Sequence, residues 1–180
     1  MYIEREIKDK FVKISSVYSI IALVGARQSG KTTFLKEQIK GKKASYLFFD
    51  DPDTRTLFEE DVKKFENQYI AGYDVSILDE VQYCKDAGIN LKYLVEKNRR
   101  IWVTSSSEII LSKEVLSYLV GRVSIIKLYP FSIKEFLNSK EQKAFTAKIF
   151  ERNIWEHITF GGYPKVVVTE DVELKKIILR

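Results

Sequence analysis

IIALVGARQSGKTTFLKEQI, residues 20–39, decides the fold. A continuous apolar run, Ile20 to Val24, enters the octet Gly25-Ala26-Arg27-Gln28-Ser29-Gly30-Lys31-Thr32, and the octet opens into a stretch with Thr33, Phe34, Leu35 and Ile39 on one helical face. A short apolar run bounded by turn residues reads as a buried strand, and the spacing after it reads as a helix. Two glycines between them let successive backbone N–H groups curl around an anion, and a helix beginning at Lys31 adds the positive end of its dipole. Lys31 then reaches the β- and γ-phosphates of a nucleotide. Thr32 offers a hydroxyl to Mg²⁺, which takes protein ligands sparingly when it is bound to phosphate. A Gly-containing loop can match this pattern by chance, but the strand before and the helix after are the context that the chemistry requires. Residues Gly25, Ala26, Arg27, Gln28, Ser29, Gly30, Lys31, Thr32 and Thr33 are therefore the candidate nucleotide-binding set.

The rest of the chain suits such a loop. With 180 residues, 45% of them hydrophobic and 13% aromatic, it can bury the core of one full-sized domain. No segment approaches the ~18 uncharged apolar residues of a membrane span. The start, with Glu4, Arg5, Glu6, Lys8 and Asp9, is charged rather than signal-like. The expectation is a cytoplasmic protein without a membrane partner. A single cysteine, Cys84, rules out an intramolecular disulfide and, with a single histidine, His157, leaves no zinc site. The net charge of +5 divides into +6 over residues 1–43, −7 over 44–96 and +6 over 97–180. The flanking basic blocks are either solvated faces or contacts for an acidic partner.

Residues 2–16 set Ile3, Ile7, Phe11 and Ile14 at helical spacing and read as an amphipathic helix beside the first strand. Gly41-Lys42-Lys43 stops the helix after the loop, and residues 44–49 read as a strand ending at Asp50-Asp51-Pro52. Helix over 54–71, strand over 75–78, helix over 91–97, strand over 101–104, helix over 114–120 and strand over 123–128 follow. Short apolar strands alternating with helices predict an α/β fold whose mainly parallel sheet is covered on both faces. After Tyr129-Pro130-Phe131 the pattern is mainly helical to Phe160, and Gly161-Gly162-Tyr163-Pro164 breaks it. The division expected is a core over 1–131 and a second, helical unit over 132–180.

Val75-Ser76-Ile77-Leu78-Asp79-Glu80 is an apolar strand that ends in two adjacent carboxylates. At the tip of a parallel strand beside the loop, Asp79 holds Mg²⁺ through its water shell, and Glu80 orients and polarises the water that attacks the γ-phosphate. Taken alone, the dipeptide is as well explained by a polar turn. Thr104-Ser105-Ser106-Ser107 closes the next strand, and a hydroxyl there, from Thr104 or Ser106, can contact the γ-phosphate or the water; Ser107 suits a helix N-cap equally. Arg122, after Gly121, is a candidate for stabilising charge on the transferring phosphoryl group, in the same or a neighbouring subunit, although most surface arginines do no such thing.

The ordered set of motifs resembles the AAA-type ATPases, in a prokaryotic branch usually extended by a C-terminal domain. The residues that carry the resemblance are Tyr2-Ile3-Glu4-Arg5, the loop Gly25 to Thr33, Leu78-Asp79-Glu80-Val81-Gln82, the serine-rich strand end, Gly121-Arg122, the segment from Pro130 to Phe136, and Gly161 to Pro164. The resemblance implies a P-loop NTPase three-layer sandwich, with Lys31 and Thr32 on phosphate and magnesium, Asp79 and Glu80 as metal and water-orienting carboxylates, and Arg122 at an arginine-finger position. It implies that 132–180 is the start of an incomplete helical lid, which relatives continue, together with a large C-terminal region, past the position of Arg180. Ser105 stands where the family usually carries glycine, which leaves the sensing hydroxyl open between Thr104 and Ser106.

The function expected is an ATP hydrolase that uses Mg²⁺ and converts nucleotide state into conformational change or assembly. A homo-oligomer, and a protein or DNA partner reached through further C-terminal parts, are the partner expectations. A binding or switch module with little hydrolysis is the alternative. A small-molecule kinase would use the same loop, but adjacent Asp79 and Glu80 suit water activation, and a guanine switch is disfavoured by the lack of an Asn-Lys-x-Asp motif.

Overall fold

A computed structural model describes residues 2–111, 115–140 and 146–179. The elements run α1 (Lys8–Val17), β1 (Ile20–Val24), α2 (Lys31–Gln38), β2 (Ala44–Phe48), α3 (Pro52–Glu60), α4 (Val62–Phe65) with a π turn at Glu66–Ile70, and β3 (Val75–Asp79). A 3₁₀ turn (Val81–Tyr83), α5 (Ala87–Glu96), β4 (Ile101–Ser105), α6 (Glu108–Ile110), a second 3₁₀ turn (Leu116–Leu119) and β5 (Val123–Lys127) complete the layered part. The helices α7 (Ile133–Ser139), α8 (Ala147–Phe160), α9 (Pro164–Val168) and α10 (Val172–Ile178) follow.

The strands form a parallel five-stranded sheet in the order β2-β3-β4-β1-β5. Period-two alternation sends Ile20, Ala22 and Val24 of β1 into the core under α3 and α5, with Phe58, Leu91 and Leu94. Ile21 and Leu23 face the other way, against Phe11 of α1 and Phe34 and Leu35 of α2. Every residue of β1, β3 and β4 is buried, as strands covered on both faces must be. This is the three-layer α/β arrangement that the alternating pattern predicts. Burial also explains Cys84, whose thiol is pushed up to about 12 and is inert.

Three expectations are corrected. The first helix begins at Lys8 rather than Tyr2, because residues 2–7 are diverted: Ile3 packs with Phe131, Phe136 and Val167, and Arg5 turns under the loop after β1. Only Ile7, Phe11 and Ile14 use the helical spacing against the sheet. The helix expected over 54–71 is broken at Asp61, whose extended backbone (φ −144°) lets its carboxylate accept from Lys64 N and start a new turn. Finally, Glu114, where a helix was expected to begin, lies outside the described residues, and Leu116–Leu119 forms a 3₁₀ turn.

Beyond β5 the chain is tied back to its own beginning. Phe131 N donates to Gly162 O at 2.7 Å. A Cβ on Gly162 would lie 2.2 Å from Phe131 O, so only glycine permits this approach. Ser132 caps α7 by accepting from Glu135 N, while Glu135 accepts from Ser132 N in return. Among the described residues no helix is long and apolar enough to cross a membrane.

Candidate functional site

All the strands point their C-terminal ends to one edge, and the loop after β1 lies there. Gln28 (φ 63°) and Gly30 (φ 94°) adopt left-handed backbone, which bends the loop tightly before Gly30 caps α2. Gly25 is needed for a different reason: a Cβ there would stand 2.1 Å from the carbonyl oxygen of Leu128, which follows β5. Lys31 is buried, and its ammonium donates to the Gly25 and Ala26 carbonyls at 2.9 and 3.1 Å. Burial pushes its pKa below the usual lysine value, while the charges of Glu80 and Asp79 oppose that shift. Arg27 donates to the Tyr83 hydroxyl at 2.9 Å on the rim.

The strand order puts β4 between β1 and β3, so the carboxylates face the loop across the tip of β4. Parallel register carries Thr104 level with Asp79, one step beyond the Leu78–Val103 pair. Thr104 Oγ1 donates to Asp79 Oδ1 and accepts from Glu80 N at 2.9 Å. Thr32 Oγ1 donates to Asp79 Oδ2 at 2.9 Å. Glu80 sits in left-handed backbone (φ 60°), an uncommon conformation for a residue with a Cβ. Its carboxylate accepts from Gln82 Nε2 at 2.6 Å and Ser106 N at 3.1 Å, and lies 3.8 Å from Lys31 Nζ. Lys31, Thr32, Asp79 and Glu80 line one cleft of about 570 Å³, with Pro164 and Lys165 of α9 on its rim. A cleft of this size falls in the range of nucleotide-sized ligand sites.

The two hydroxyl candidates part company here. Thr104 is fully buried and occupied with Asp79 and Glu80, which makes it a positioning residue for the carboxylates rather than a free donor in the cleft. Ser106 is only partly buried and stands beside Glu80, with its Oγ 3.5 Å from Gln82 Nε2. Arg122 precedes β5 and therefore sits at the opposite edge of the sheet, where it lines a groove with Tyr18 and Ser19 and reaches Glu96 at 3.5 Å. A five-residue strand separates the two edges by about 16 Å, so Arg122 cannot reach this chain's own cleft. A role within the same subunit is corrected accordingly.

Some residues that matter were not singled out as site residues from sequence. Arg5 is buried beneath the loop, donating to Ser29 O at 3.0 Å and to Glu135 Oε1 at 3.0 Å, with its guanidinium 4.7 Å above the Phe131 ring. Glu135 also accepts from Glu6 N at 2.7 Å. The signal was present, since Arg5 and Glu135 both fall in the motifs that carry the resemblance, but only folding brings them together. Tyr46, on β2, donates its hydroxyl to Asp79 Oδ2, and burial together with that carboxylate raises its pKa, keeping the phenol protonated. Gln82 is buried and its Oε1 has no partner.

Among the described residues no cluster of three or more His, Cys, Asp or Glu side chains could hold a metal by itself. A hydroxyl and one carboxylate with hard oxygen atoms suit Mg²⁺, which keeps most of its waters and the phosphate oxygens of its nucleotide as ligands.

Comparison with known proteins agrees with the geometry. A family described as AAA domain matches residues 17–137. An uncharacterised protein of Methanocaldococcus jannaschii is 29% identical over 99% of this chain, and one of Haemophilus influenzae is 28% identical over 89%. The chain spans 42% and 43% of the length of these two relatives. Among solved structures, a Walker-type ATPase of Pyrococcus abyssi superposes with a TM-score of 0.61 over 93% of this chain and 66% of its own, at 14% identity, a likeness of fold. With its glycine loop, paired carboxylates and β4 inserted between β1 and β3, this chain belongs to the AAA domain family of P-loop ATPases.

Proposed function

We propose that the cleft binds ATP with Mg²⁺ and hydrolyses it, coupling nucleotide state to a change of conformation or assembly. The observation that carries this reading is the convergence of Thr32 and Asp79 at 2.9 Å with Glu80 beside Lys31 at 3.8 Å in one cleft. The loop amides and Lys31 take the phosphates, Lys31 exchanging its bonds to Gly25 and Ala26 for phosphate oxygens. Thr32 and Asp79 would hold Mg²⁺, the latter through water; the ion supplies charge neutralisation on the β- and γ-phosphates. Glu80 accepts a proton from the water that attacks the γ-phosphorus, while the bond to the β-phosphate oxygen breaks and ADP leaves. Ser106, beside Glu80, reads the γ-phosphate. The base lies past Thr33 and Phe34, in the recess lined by Tyr2, Ile3, Phe131 and Val168.

Residues 1–131 act as the ATPase core and 132–180 as the beginning of a lid that brings Pro164 and Lys165 to the cleft. The reaction belongs to the cytoplasm, where ATP is supplied. Arg122 acts in trans in a homo-oligomer, and a protein or DNA partner engages parts beyond this chain. Steady-state phosphate release with Mg-ATP tests this reading: specific activity rises with protein concentration, and Arg122→Ala lowers it about tenfold or more without weakening ATP binding. Mixing Arg122→Ala with Glu80→Gln subunits restores part of the activity, because each supplies what the other lacks. Transfer of phosphate to a small acceptor instead of water would identify a kinase. Tight ATP binding with no turnover at any concentration would favour a switch module.

A further inference from the structure

Asp79 is more heavily engaged than a carboxylate waiting for metal-bound water needs to be. It is 3% exposed, and hydroxyls occupy both of its oxygens: Thr104 donates to Oδ1, while Thr32 and Tyr46 both donate to Oδ2. Each carboxylate oxygen offers about two lone-pair directions, so Oδ2, the oxygen that faces Thr32 and an ion bound there, is filled, and the one position left is on Oδ1, the oxygen turned to Thr104. The Thr32 bond is compatible with magnesium, since a hydroxyl can give its lone pair to the ion and its proton to Asp79. The Tyr46 bond is of another kind. Its phenol brings no ligand that the loop lacks, and it takes up a lone pair that a metal-bound water would use.

The placement of Tyr46 follows from β2–β3 register. Tyr46 lies opposite Ile77 and Phe48 opposite Asp79, so Tyr46 and Asp79 share a face as diagonal neighbours, within reach of a long aromatic side chain. The ring is held from outside by Lys36 of α2, whose ammonium lies 4.3 Å from its centroid. β2 is an edge strand, so a change at its exposed side has a direct route to Asp79.

We propose that Tyr46 is a latch on Asp79: its hydroxyl occupies the carboxylate oxygen that magnesium hydration requires, and magnesium arriving with nucleotide must displace it. The inference rests on the ATP reading above. Tyr46 is thus a positioning residue that sets how strongly magnesium contributes to nucleotide affinity, and the edge strand β2 becomes the element that moves when the cleft fills.

The test is Tyr46→Phe, which keeps the ring over Asp79 and removes only the hydroxyl. ATP affinity is measured across magnesium concentrations and again in excess chelator, beside wild type and Ser45→Ala. Ser45 sits next along β2 and its hydroxyl bonds Ser76 rather than Asp79, so Ser45→Ala controls for loss of a hydroxyl on this strand. A hydrogen bond to a charged group that no longer has to be broken predicts a magnesium midpoint about tenfold lower for Tyr46→Phe. ATP affinity in chelator stays within about twofold, and Ser45→Ala matches wild type. Thermal unfolding of the variant without nucleotide checks that it is folded and, through the lost bond, somewhat less stable. An unchanged or higher magnesium midpoint in a folded variant, with normal magnesium dependence in wild type, overturns the latch alone. A wild type that binds no ATP with or without magnesium overturns the ATP reading and the latch with it.

Discussion

Glu80→Gln is expected to lower steady-state phosphate release by about two to three orders of magnitude while leaving Mg-ATP affinity within a few-fold, because a positioned general base contributes roughly that much. Glutamine is nearly isosteric and still presents one oxygen to Gln82 Nε2 and Ser106 N, so the turn at Glu80 keeps its shape. What is lost is the group that accepts a proton. The neighbouring charges make the point sharper, since Lys31 Nζ lies 3.8 Å from Glu80 and Thr104 fixes the backbone N–H of Glu80, which aims the carboxylate without contacting it. Phosphate release that survives at near wild-type rate would place water activation on another group. The same variant supports the mixing experiment with Arg122→Ala, since its own Arg122 is intact at the far edge of the sheet.

Arg5→Ala is expected to cost about 3–5 kcal/mol of stability, the usual penalty for leaving one half of a buried ion pair uncompensated. Arg5 and Glu135 side chains are each 5% exposed, and their bond at 3.0 Å joins the start of the chain to α7. Removing the guanidinium leaves the buried Glu135 carboxylate, among the described residues, with the N–H groups of Glu6 and Ser132, and releases Ser29 O, Tyr129 O and the Phe131 ring. For a chain of this size such a loss lowers Tm by about 6–20 °C in a thermal melt. Because Arg5 also supports Ser29 inside the phosphate loop, ATP affinity falls in the same variant. The double replacement Arg5→Met with Glu135→Leu recovers part of the stability, since no unpaired charge remains although Glu6 N, Ser132 N and Ser29 O lose their partners. A melt of Arg5→Ala within 2 °C of wild type would show that the pair is not a clamp.

Much of this site was legible because its signals are local. A strand, two glycines, a lysine and a threonine must be consecutive for the loop to work, and Asp79-Glu80 must end an apolar strand. What escaped reading is non-local. Sequence places β3 after β2, but it does not show that β4 enters between β1 and β3, and that insertion turns Thr104 from a candidate sensor into the residue that holds Asp79 and Glu80. Tyr46 lies in a stretch that reads only as a buried strand, and its meeting with Asp79 depends on register across 33 positions. Helical spacing misled at residues 2–7, where Ile3 matches the period of Ile7 and Phe11 yet belongs to a different cluster. The strongest pull on that segment is the contact of Arg5 with Ser29 and Glu135, 24 and 130 residues away, which no periodicity can express. Arg122 illustrates the opposite case: its place just before β5 was readable, and the parallel sheet then fixes which edge it occupies.

The most direct measurement is equilibrium titration of the wild-type chain with Mg-ATP beside Lys31→Ala. Lys31 is the cation that would leave the Gly25 and Ala26 carbonyls for the phosphates, and loss of its charge-assisted bonds weakens binding by about 10- to 100-fold. Saturable one-to-one binding by wild type that collapses in Lys31→Ala is the predicted result. Wild-type chain that binds no Mg-ATP, or equal binding by both, would contradict the assignment of this cleft as the nucleotide site.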